Sequence, residues 1–417
     1  MEFFILVAVA AYFVFALFKP KWAVLALPLF FPAYLLSFKV AGIPFTLIEA
    51  LIYVTFLAFG AHLVVNKFFI QRAFLKDKIW LPIGLLFITS ILSVLIVPKE
   101  ILLIDGKTLF ESQKIAFGIL KGWIFAPLLA FFMFYNQADG LRNLTSHTSA
   151  FAGAWDNLFG KLGAKKLLSK LDAPISSGKL LLDFYAISCL FLAFWAIYQV
   201  LSGNYITPDM RASGPFASAN YLALYIAPAV FYAFARLIHE RHFIFAFIFG
   251  TLLVALLFTK SYAAIIALFV AIFGYLYLWK TKKTPEFASK IWKLITLCMT
   301  LFVFATVVLT NFDPLKWQQF FVVAQRSSSA VRLEVYQIGV ALIGQHPLLG
   351  IGLGQFPAFY QLESPLILGH APYEWNMLHP HNIFLAFWLN LGLLGLISLI
   401  WILVLCTRKF LHLLKEI

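Results

Sequence analysis

The chain has 417 residues, of which 62% are hydrophobic and only 12% are charged, and its mean hydropathy is +0.90. Because a soluble domain carries roughly a quarter charged residues, this composition excludes a soluble protein and indicates a polytopic membrane protein. The net charge of +14 would suggest a nucleic-acid partner in a soluble protein. Here we predict no nucleic-acid binding and expect the excess cations to mark one side of the membrane.

Long apolar runs predict an all-α fold of about 11–12 transmembrane helices. At 1.5 Å per residue, a helix of about 20 residues crosses the hydrocarbon core of a bilayer. Some runs are shorter than this, so eleven is a working count and twelve is the alternative. The predicted spans are, in chain order, 3–18, 22–38, 45–65, 79–97, 119–136, 181–201, 217–236, 243–258, 261–279, 291–311 and 382–406.

The loops between these spans divide the cations unequally. One set of loops holds 22 Lys and Arg, and the other holds 10. Because cytoplasmic loops are enriched in cations, we assign the first set to the cytoplasm. It includes the long loop 137–180. Two informative loops then lie on the outer face: the short loop 202–216 and the large loop 312–381, which we expect to be a helical domain before the last span.

Two arginines of the outer loops are candidate anion-binding residues. Arg211 lies just outside a span, near Asn220. Arg332 falls in the first turn of a predicted helix, where a cation opposes the helix dipole, and an anion bound at that helix end would explain it. For Arg211 the alternative is an interfacial arginine whose charged end extends to water. For Arg332 it is a pair with Glu334 or another surface acid.

The large outer loop ends in a second group of candidate residues. His379 and His381 lie where the last span begins, and each taken alone would be an ordinary interfacial histidine. Upstream, we expect Gly350, Gly352 and Gly354 to form a tight turn. Their spacing does not match a nucleotide-binding loop, because no strand precedes them.

Taken together, the arginines and histidines suggest group-transfer chemistry at the membrane surface. Two arginines can bind a pyrophosphate through paired hydrogen bonds. A histidine with a pKa near neutral can accept a proton from a hydroxyl group. This combination predicts transfer from a phosphate-activated lipid to a hydroxyl acceptor. The outer loop has no Asp-x-Asp pair, which agrees with a site that uses no metal ion, and we predict no cofactor.

Three segments in the C-terminal half resemble the bacterial O-antigen ligases, with related forms in the O-antigen polymerases. The segment HNIFLAFWLNLGLLG fits the pattern H-[N/S/Q]-x9-G-x-x-[G/T/Y], with His381, Asn382, Gly392 and Gly395 at the defined positions. The stretches RASGPFASANYLALYIAP and AVRLEVYQIGVALIGQHPLLGIGLGQF resemble the two outer arginine segments of that family. The resemblance covers approximately 205–400, and these motifs separate ligases from polymerases poorly.

The resemblance implies a role for each candidate residue. His381 would be the general base, and Arg211 and Arg332 would bind the pyrophosphate of the donor. Many family members have a Ser-Arg pair after the span where this chain has Thr259-Lys260-Ser261-Tyr262, so either Lys260 replaces that cation or the site is unimportant here. The remaining residues are assigned supporting roles: His379, Asn382 and Asn220.

The implied reaction moves a glycan from undecaprenyl pyrophosphate to a hydroxyl of lipid A–core oligosaccharide. It would be inverting and metal-independent, and it would occur on the periplasmic side of the bacterial inner membrane. An O-antigen polymerase and a protein O-glycosylating ligase are the alternative enzymes. A flippase or transporter for lipid-linked glycans is the alternative from another class. The spans are almost free of charged residues, which argues against transport.

Overall fold

The computed structural model describes residues 2–40, 43–65, 77–103, 109–140, 177–206, 210–280, 300 and 328–416. Helices make up nearly all of the regular structure in these segments, which confirms the prediction of an all-α polytopic membrane protein. The chain forms two compact units. Unit 1 contains residues 1–66 and 133–313, and unit 2 contains residues 67–132 and 314–417.

Four helices among the described residues are long and apolar enough to cross a membrane. They are Ser112–Asn136, Gly178–Ser202, Ala219–Glu240 and Ile383–Lys409. Shorter apolar helices accompany them at Phe4–Phe18, Pro20–Leu35, Leu47–His62, Trp80–Leu95, Phe243–Phe258 and Tyr262–Tyr277. The predicted span at 291–311 lies outside the described residues.

The N-terminal part of unit 1 is less regular than the sequence predicted. Its elements are α1 (Glu2–Phe18), α2 (Pro20–Ala26), a 3-10 helix (Leu27–Leu35), the antiparallel pair β1 (Ser37–Val40) and β2 (Ile43–Thr46), and α3 (Leu47–Val65). The helical span predicted over 22–38 is therefore present, but it changes from α-helix to 3-10 helix after Ala26 and ends at Leu35. Pro28 and Pro32 lack the backbone N–H of a regular α-helix and their rings clash with the preceding turn, so the run tightens and then becomes extended.

The rest of unit 1 is a bundle of apolar helices. They are α7 (Ser177–Ser202), α8 (Ala219–Glu240), α9 (Phe243–Phe258) and α10 (Tyr262–Lys280), each within a few residues of its predicted span. Their buried core mixes Leu, Ile and Phe with many alanines, such as Ala193, Ala196, Ala223 and Ala255. Small residues allow helix backbones to approach closely, which is how helices associate in a membrane.

Unit 2 contains apolar helices and the described part of the loop 312–381. In chain order it contains α4 (Trp80–Leu95), the short pair β3 (Ile101–Leu102) and β4 (Leu109–Phe110), α5 (Ser112–Ile119), a π-helical turn (Leu120–Phe125), α6 (Ala126–Gly140, whose end belongs to unit 1), α11 (Ser328–Gln345), α12 (Phe356–Leu368) and α13 (Ile383–Glu416). The helix predicted over 119–136 thus begins earlier, at Ser112. The described part of the loop 312–381 contains α11 and α12 and is helical, as predicted.

The last helix, α13, covers nearly all of the predicted span 382–406, but it is interrupted at Gly392. Gly392 has φ 71° and ψ −172°, which is not a helical conformation. Phe384 lines one groove with Leu403 and Val404. In a straight helix Phe384 and Leu403 would be about 28 Å apart, so the chain bends sharply at this glycine.

The turn that precedes α12 packs directly against this interruption. The N–H of Ile351 donates to the carbonyl of Leu389 at 2.7 Å, and the N–H of Leu393 donates to the carbonyl of Leu348 at 3.1 Å. These bonds pair backbone groups that the broken helix cannot pair itself. A Cβ atom on Gly392 would lie 2.0 Å from the carbonyl oxygen of Leu348, so only glycine fits. Gly350, Gly352 and Gly354 all have positive φ in this turn.

Candidate functional site

Arg211 in unit 1 is held between two helices. Its Nε donates to the carbonyl of Thr259, at the end of α9, at 2.7 Å. One terminal nitrogen, Nη2, donates to Oδ1 of Asn220, in the first turn of α8, at 2.8 Å. Two directed bonds to different elements fix the plane of the guanidinium. Arg211 is half-buried, and its bonds to Thr259 and Asn220 direct its charged group back onto the protein.

The loop that carries Arg211 is itself buried and anchored from a third helix. Ala212 and Ser213 are fully buried, and Gly214 has φ +57°. Gln199 of α7 accepts hydrogen bonds from the N–H groups of Ser213 (3.1 Å) and Gly214 (2.8 Å), and its Nε2 donates to the carbonyl of Gly214 at 2.8 Å. Buried backbone groups need such partners, so Gln199 defines the shape of the loop.

The two supporting residues of unit 1 lie at the same place. Asn220 contacts the guanidinium directly. Lys260 is exposed and follows Thr259, whose carbonyl binds Arg211. Lys260 also has φ +50°, a left-handed conformation that turns the chain between α9 and α10. We call this assembly, comprising Gln199, 211–216, Asn220 and 259–260, the Arg211 corner.

Arg332 in unit 2 stands on the exposed side of α11. The described helix begins at Ser328, so Arg332 is its fifth residue, just past the first turn in which it was predicted. The alternative pair with Glu334 is not present. Glu334 is buried, and its carboxylate accepts from the N–H of Tyr373 at 3.0 Å. No carboxylate of the described residues lies within 4.0 Å of Arg332.

The two histidines are adjacent and differ in backbone conformation. Their ring centroids lie 4.4 Å apart. His381 has φ +51°, a left-handed conformation that is uncommon outside glycine. The hydroxyl of Tyr336, one turn after Arg332 on α11, donates to the carbonyl of His381 at 3.4 Å. The same helix therefore presents Arg332 and contacts the histidine backbone.

The surroundings favour the neutral form of both histidines. Partial desolvation lowers the pKa of His379. The pKa of His381 is lowered by desolvation first and then by the positive charges of His379 and Arg332. A neutral imidazole has a free lone pair for a proton. His381 is exposed, so a substrate hydroxyl can reach it.

Asn382, predicted to support the site, caps the last helix. Its Oδ1 accepts from the N–H groups of Phe384 at 2.9 Å and Leu385 at 3.2 Å, which pairs two of the free donors at the start of α13. The cap fixes where the helix begins. It therefore fixes the position of His381, the residue immediately before it.

Sequence reasoning missed three polar residues that organise these elements: Gln199, Tyr336 and Asn390. The side chain of Asn390 accepts from the N–H of Gly354 at 2.7 Å, which ties the glycine turn to α13. Gln199 and Asn390 are isolated polar residues in apolar helices. A polar residue inside a membrane helix indicates a specific partner, and this signal was available in the sequence.

The structure brings the predicted residues together in two groups. Arg211, Asn220 and Lys260 lie in unit 1. Unit 2 holds Arg332 and residues 379–382. Within the described residues, no three side chains of His, Cys, Asp or Glu are grouped so that they could bind a metal ion.

Comparison with known proteins supports the resemblance found in the motifs. Residues 245–400 match the family model described as O-Antigen ligase. The matched region includes Lys260, Arg332, His381 and the glycine at 392, and it begins after Arg211. No curated protein matches the chain. The chain is thus similar to the O-antigen ligases over residues 245–400, and its apolar helices are those of a multi-pass membrane protein.

Proposed function

We propose that this chain, with its O-antigen ligase region at 245–400, transfers a glycan from undecaprenyl pyrophosphate to a hydroxyl of lipid A–core oligosaccharide. The observation that carries the proposal is the environment of His381. Its pKa is lowered by desolvation and by the charges of His379 and Arg332, and its ring is exposed. A neutral, accessible histidine beside an arginine suits a base that acts next to an anionic leaving group.

In the proposed reaction the acceptor hydroxyl attacks the anomeric carbon of the donor glycan. A new carbon–oxygen glycosidic bond forms while the bond from that carbon to the pyrophosphate oxygen breaks. The electron pair of the broken bond leaves with undecaprenyl pyrophosphate. The hydroxyl proton passes to His381. Attack from the side opposite the leaving group inverts the anomeric configuration.

Arginine is suited to the leaving group in this scheme. Its planar guanidinium can form two parallel hydrogen bonds to phosphate oxygens, and these strengthen as negative charge develops. We assign this role to Arg211 and Arg332, with Lys260 as an additional cation. Pyrophosphate is already a good leaving group, so these cations can replace a metal ion, and the enzyme would be metal-independent.

The proposed reaction takes place at the periplasmic face of the inner membrane. The excess of cations in the loops assigned to the cytoplasm supports this orientation. Both substrates are lipid-linked, so they reach the enzyme by diffusion in the membrane.

An O-antigen polymerase, which uses a second lipid-linked glycan as acceptor, is the nearest alternative because the motifs are shared between the two enzymes. The test is an assay of the purified protein in lipid nanodiscs with a lipid-linked glycan donor. One reaction receives lipid A–core and another receives only additional donor. We expect glycan on lipid A–core, with release of undecaprenyl pyrophosphate.

A lengthened lipid-linked glycan would instead identify a polymerase. If the protein forms neither product and moves the donor across the bilayer of a vesicle, it is a transporter. His381→Ala is the matched control, because it should form no product in either reaction.

A further inference from the structure

Gln199 has no role in the proposed chemistry, yet it is one of the most completely bonded side chains in unit 1. It lies in α7, only 2% exposed, three residues before the helix ends at Ser202. Both ends of its carboxamide are used. The oxygen accepts two backbone N–H groups, and the nitrogen donates to a backbone carbonyl, with distances of 2.8 to 3.1 Å.

All these bonds go to one short stretch of chain, Ser213 and Gly214, directly after Arg211. This stretch is buried, so its backbone groups cannot turn to water for partners. Gly214 has φ +57°, and its carbonyl also accepts from the hydroxyl of Ser213 at 3.3 Å. The carboxamide of Gln199 therefore selects one conformation of the loop.

That conformation determines where the guanidinium of Arg211 can lie. Ala212, between Arg211 and the clamped residues, donates its N–H to the carbonyl of Phe258 at 3.1 Å. The next carbonyl of α9, that of Thr259, accepts from Nε of Arg211. Backbone and side chain of the loop are thus attached to adjacent carbonyls at the end of α9. A shift of residues 213–214 would move the loop away from these carbonyls and break the two hydrogen bonds.

We propose that Gln199 is a positioning residue for pyrophosphate binding: it holds the loop 211–216 so that Arg211 presents its guanidinium to the donor. This inference rests on the proposed function, since it assumes that Arg211 binds the donor. Gln199 itself touches no substrate. It acts only through Arg211, and this condition makes the proposal testable by a double-mutant cycle.

The experiment measures the affinity of the full-length protein in nanodiscs for undecaprenyl pyrophosphate. The variants are Gln199→Met, Arg211→Ala and the double variant, with Tyr198→Phe as the control on an exposed position of the same helix. Methionine keeps the length and packing of the side chain but makes none of its hydrogen bonds. We expect Gln199→Met to weaken binding about tenfold, because a displaced guanidinium loses directed bonds to the phosphates.

The double variant is expected to bind no more weakly than Arg211→Ala alone. If the two losses multiply instead, Gln199 acts independently of Arg211 and the inference is wrong. Wild-type affinity in Gln199→Met would also overturn it. If Arg211→Ala binds like wild type, the role proposed for Arg211 falls, whatever Gln199 does. The two failures are therefore distinguishable.

Gln199→Glu provides a second test if Gln199→Met does not accumulate as folded protein. A protonated carboxyl group has one donor and one acceptor and resembles the carboxamide, whereas an ionised carboxylate only accepts. The ratio of the donor affinity of Gln199→Glu to that of wild type, measured at the same pH, should rise toward one as the pH falls. A ratio that stays well below one at every pH would contradict the proposal.

Discussion

The Arg211 corner lies in unit 1, and the histidine segment, residues 379–382, lies in unit 2. These two regions carry the two kinds of candidate chemistry, and they are built differently. Arg211 is half-buried and bonded to α8 and α9, while α7 shapes its loop through Gln199. Arg332 and His381 are exposed, and His381 is located mainly by the helix cap that follows it. Arg211 is held by tertiary contacts, whereas the candidate base His381 is held by the end of a helix and lies in the same unit as the exposed Arg332.

This difference has a physical reason. A phosphate-binding guanidinium gains from a fixed plane, because the strength of paired hydrogen bonds depends on direction. A general base must meet an acceptor that arrives from outside, so exposure is required and one well-placed ring suffices. The comparison predicts that substitutions in the two regions will fail in different ways.

The largest expected effect concerns topology, where the outcome is all or none. If both regions serve one reaction on the outer face, cysteines at Asn204 in unit 1 and Leu366 in unit 2 should both react with a membrane-impermeant maleimide added from outside. Both positions are exposed, whereas Ser364 is fully buried and would give a false negative.

Ser169→Cys, in the loop assigned to the cytoplasm, is the control that should stay unlabelled in intact cells. The native Cys406 is exposed and must be replaced first. Labelling at only one of Asn204→Cys and Leu366→Cys would place the two regions on opposite faces of the membrane. The two regions could then not serve one reaction.

The next largest effect is on the rate at His381. His381→Ala should lower the rate by roughly 10²–10⁴-fold, the usual contribution of a general base. Donor affinity should stay near that of wild type, since we assign donor binding to the arginines. Initial rates and donor affinity measured side by side would separate the two quantities.

His379→Ala is the matched variant on the neighbouring ring and should lose less activity. An inactive His379→Ala beside an active His381→Ala would mean that the base has been assigned to the wrong residue. Poor donor binding by both variants would make the histidines part of the phosphate site.

Arg→Lys substitution should have an intermediate effect and should distinguish the two arginines. Each variant is expected to lose most of its activity, roughly 10–100-fold, because a point charge cannot replace a planar group with several donors. The loss should be greater for Arg211→Lys, since lysine cannot bind the carbonyl of Thr259 and the amide of Asn220 in the same geometry.

Steady-state kinetics with varied donor, together with the amount of folded protein in the membrane, would test this order. Wild-type turnover in Arg332→Lys would show that Arg332 has no directed role toward the phosphates.

The smallest expected effect is a shift in pH dependence. A base works in its neutral form, so kcat/KM should rise with pH through the pKa of His381. Because that pKa is lowered, the rise of kcat/KM on the acidic side of the pH profile (the acidic limb) should occur at a lower pH than for an ordinary histidine. His379→Asn removes one of the positive charges responsible, so the pKa should rise and the acidic limb should move to higher pH.

The control is His370→Asn, an exposed histidine of the same unit that lies beside Glu334. It should leave the limb unchanged. An acidic limb that does not move in His379→Asn would mean that another group, and not His381, controls the rate.

The sequence predicted most helices of the bundle well, and its errors have identifiable causes. The runs 181–201, 243–258 and 261–279 are continuous and apolar, and helices occupy them nearly to the residue. The run 22–38 is equally apolar but contains prolines. Hydropathy measures transfer into the membrane and does not register a missing backbone N–H.

The broken helix at Gly392 shows the same limit. The motif spacing pointed to this glycine but not to its conformation. The break is stable only because the turn at 348–351 pairs the backbone groups around it. Such a partner lies about forty residues away in the chain, where no local pattern can find it.

The sequence by itself determined that this is a helical membrane protein, which residues are its candidate arginines and histidines, and which family it resembles over 245–400. Composition and spacing suffice for these conclusions. The membrane assignment depends only on the transfer of side chains from water into the bilayer, and the family resemblance depends only on a fixed order of residue types. Only the tertiary structure decided that Arg211 is bound by Asn220 and Thr259, that Glu334 turns away from Arg332, and that the pKa of His381 is lowered. Hydrogen bonds and electrostatic shifts depend on distances between segments that are remote in the chain, and these distances exist only after folding.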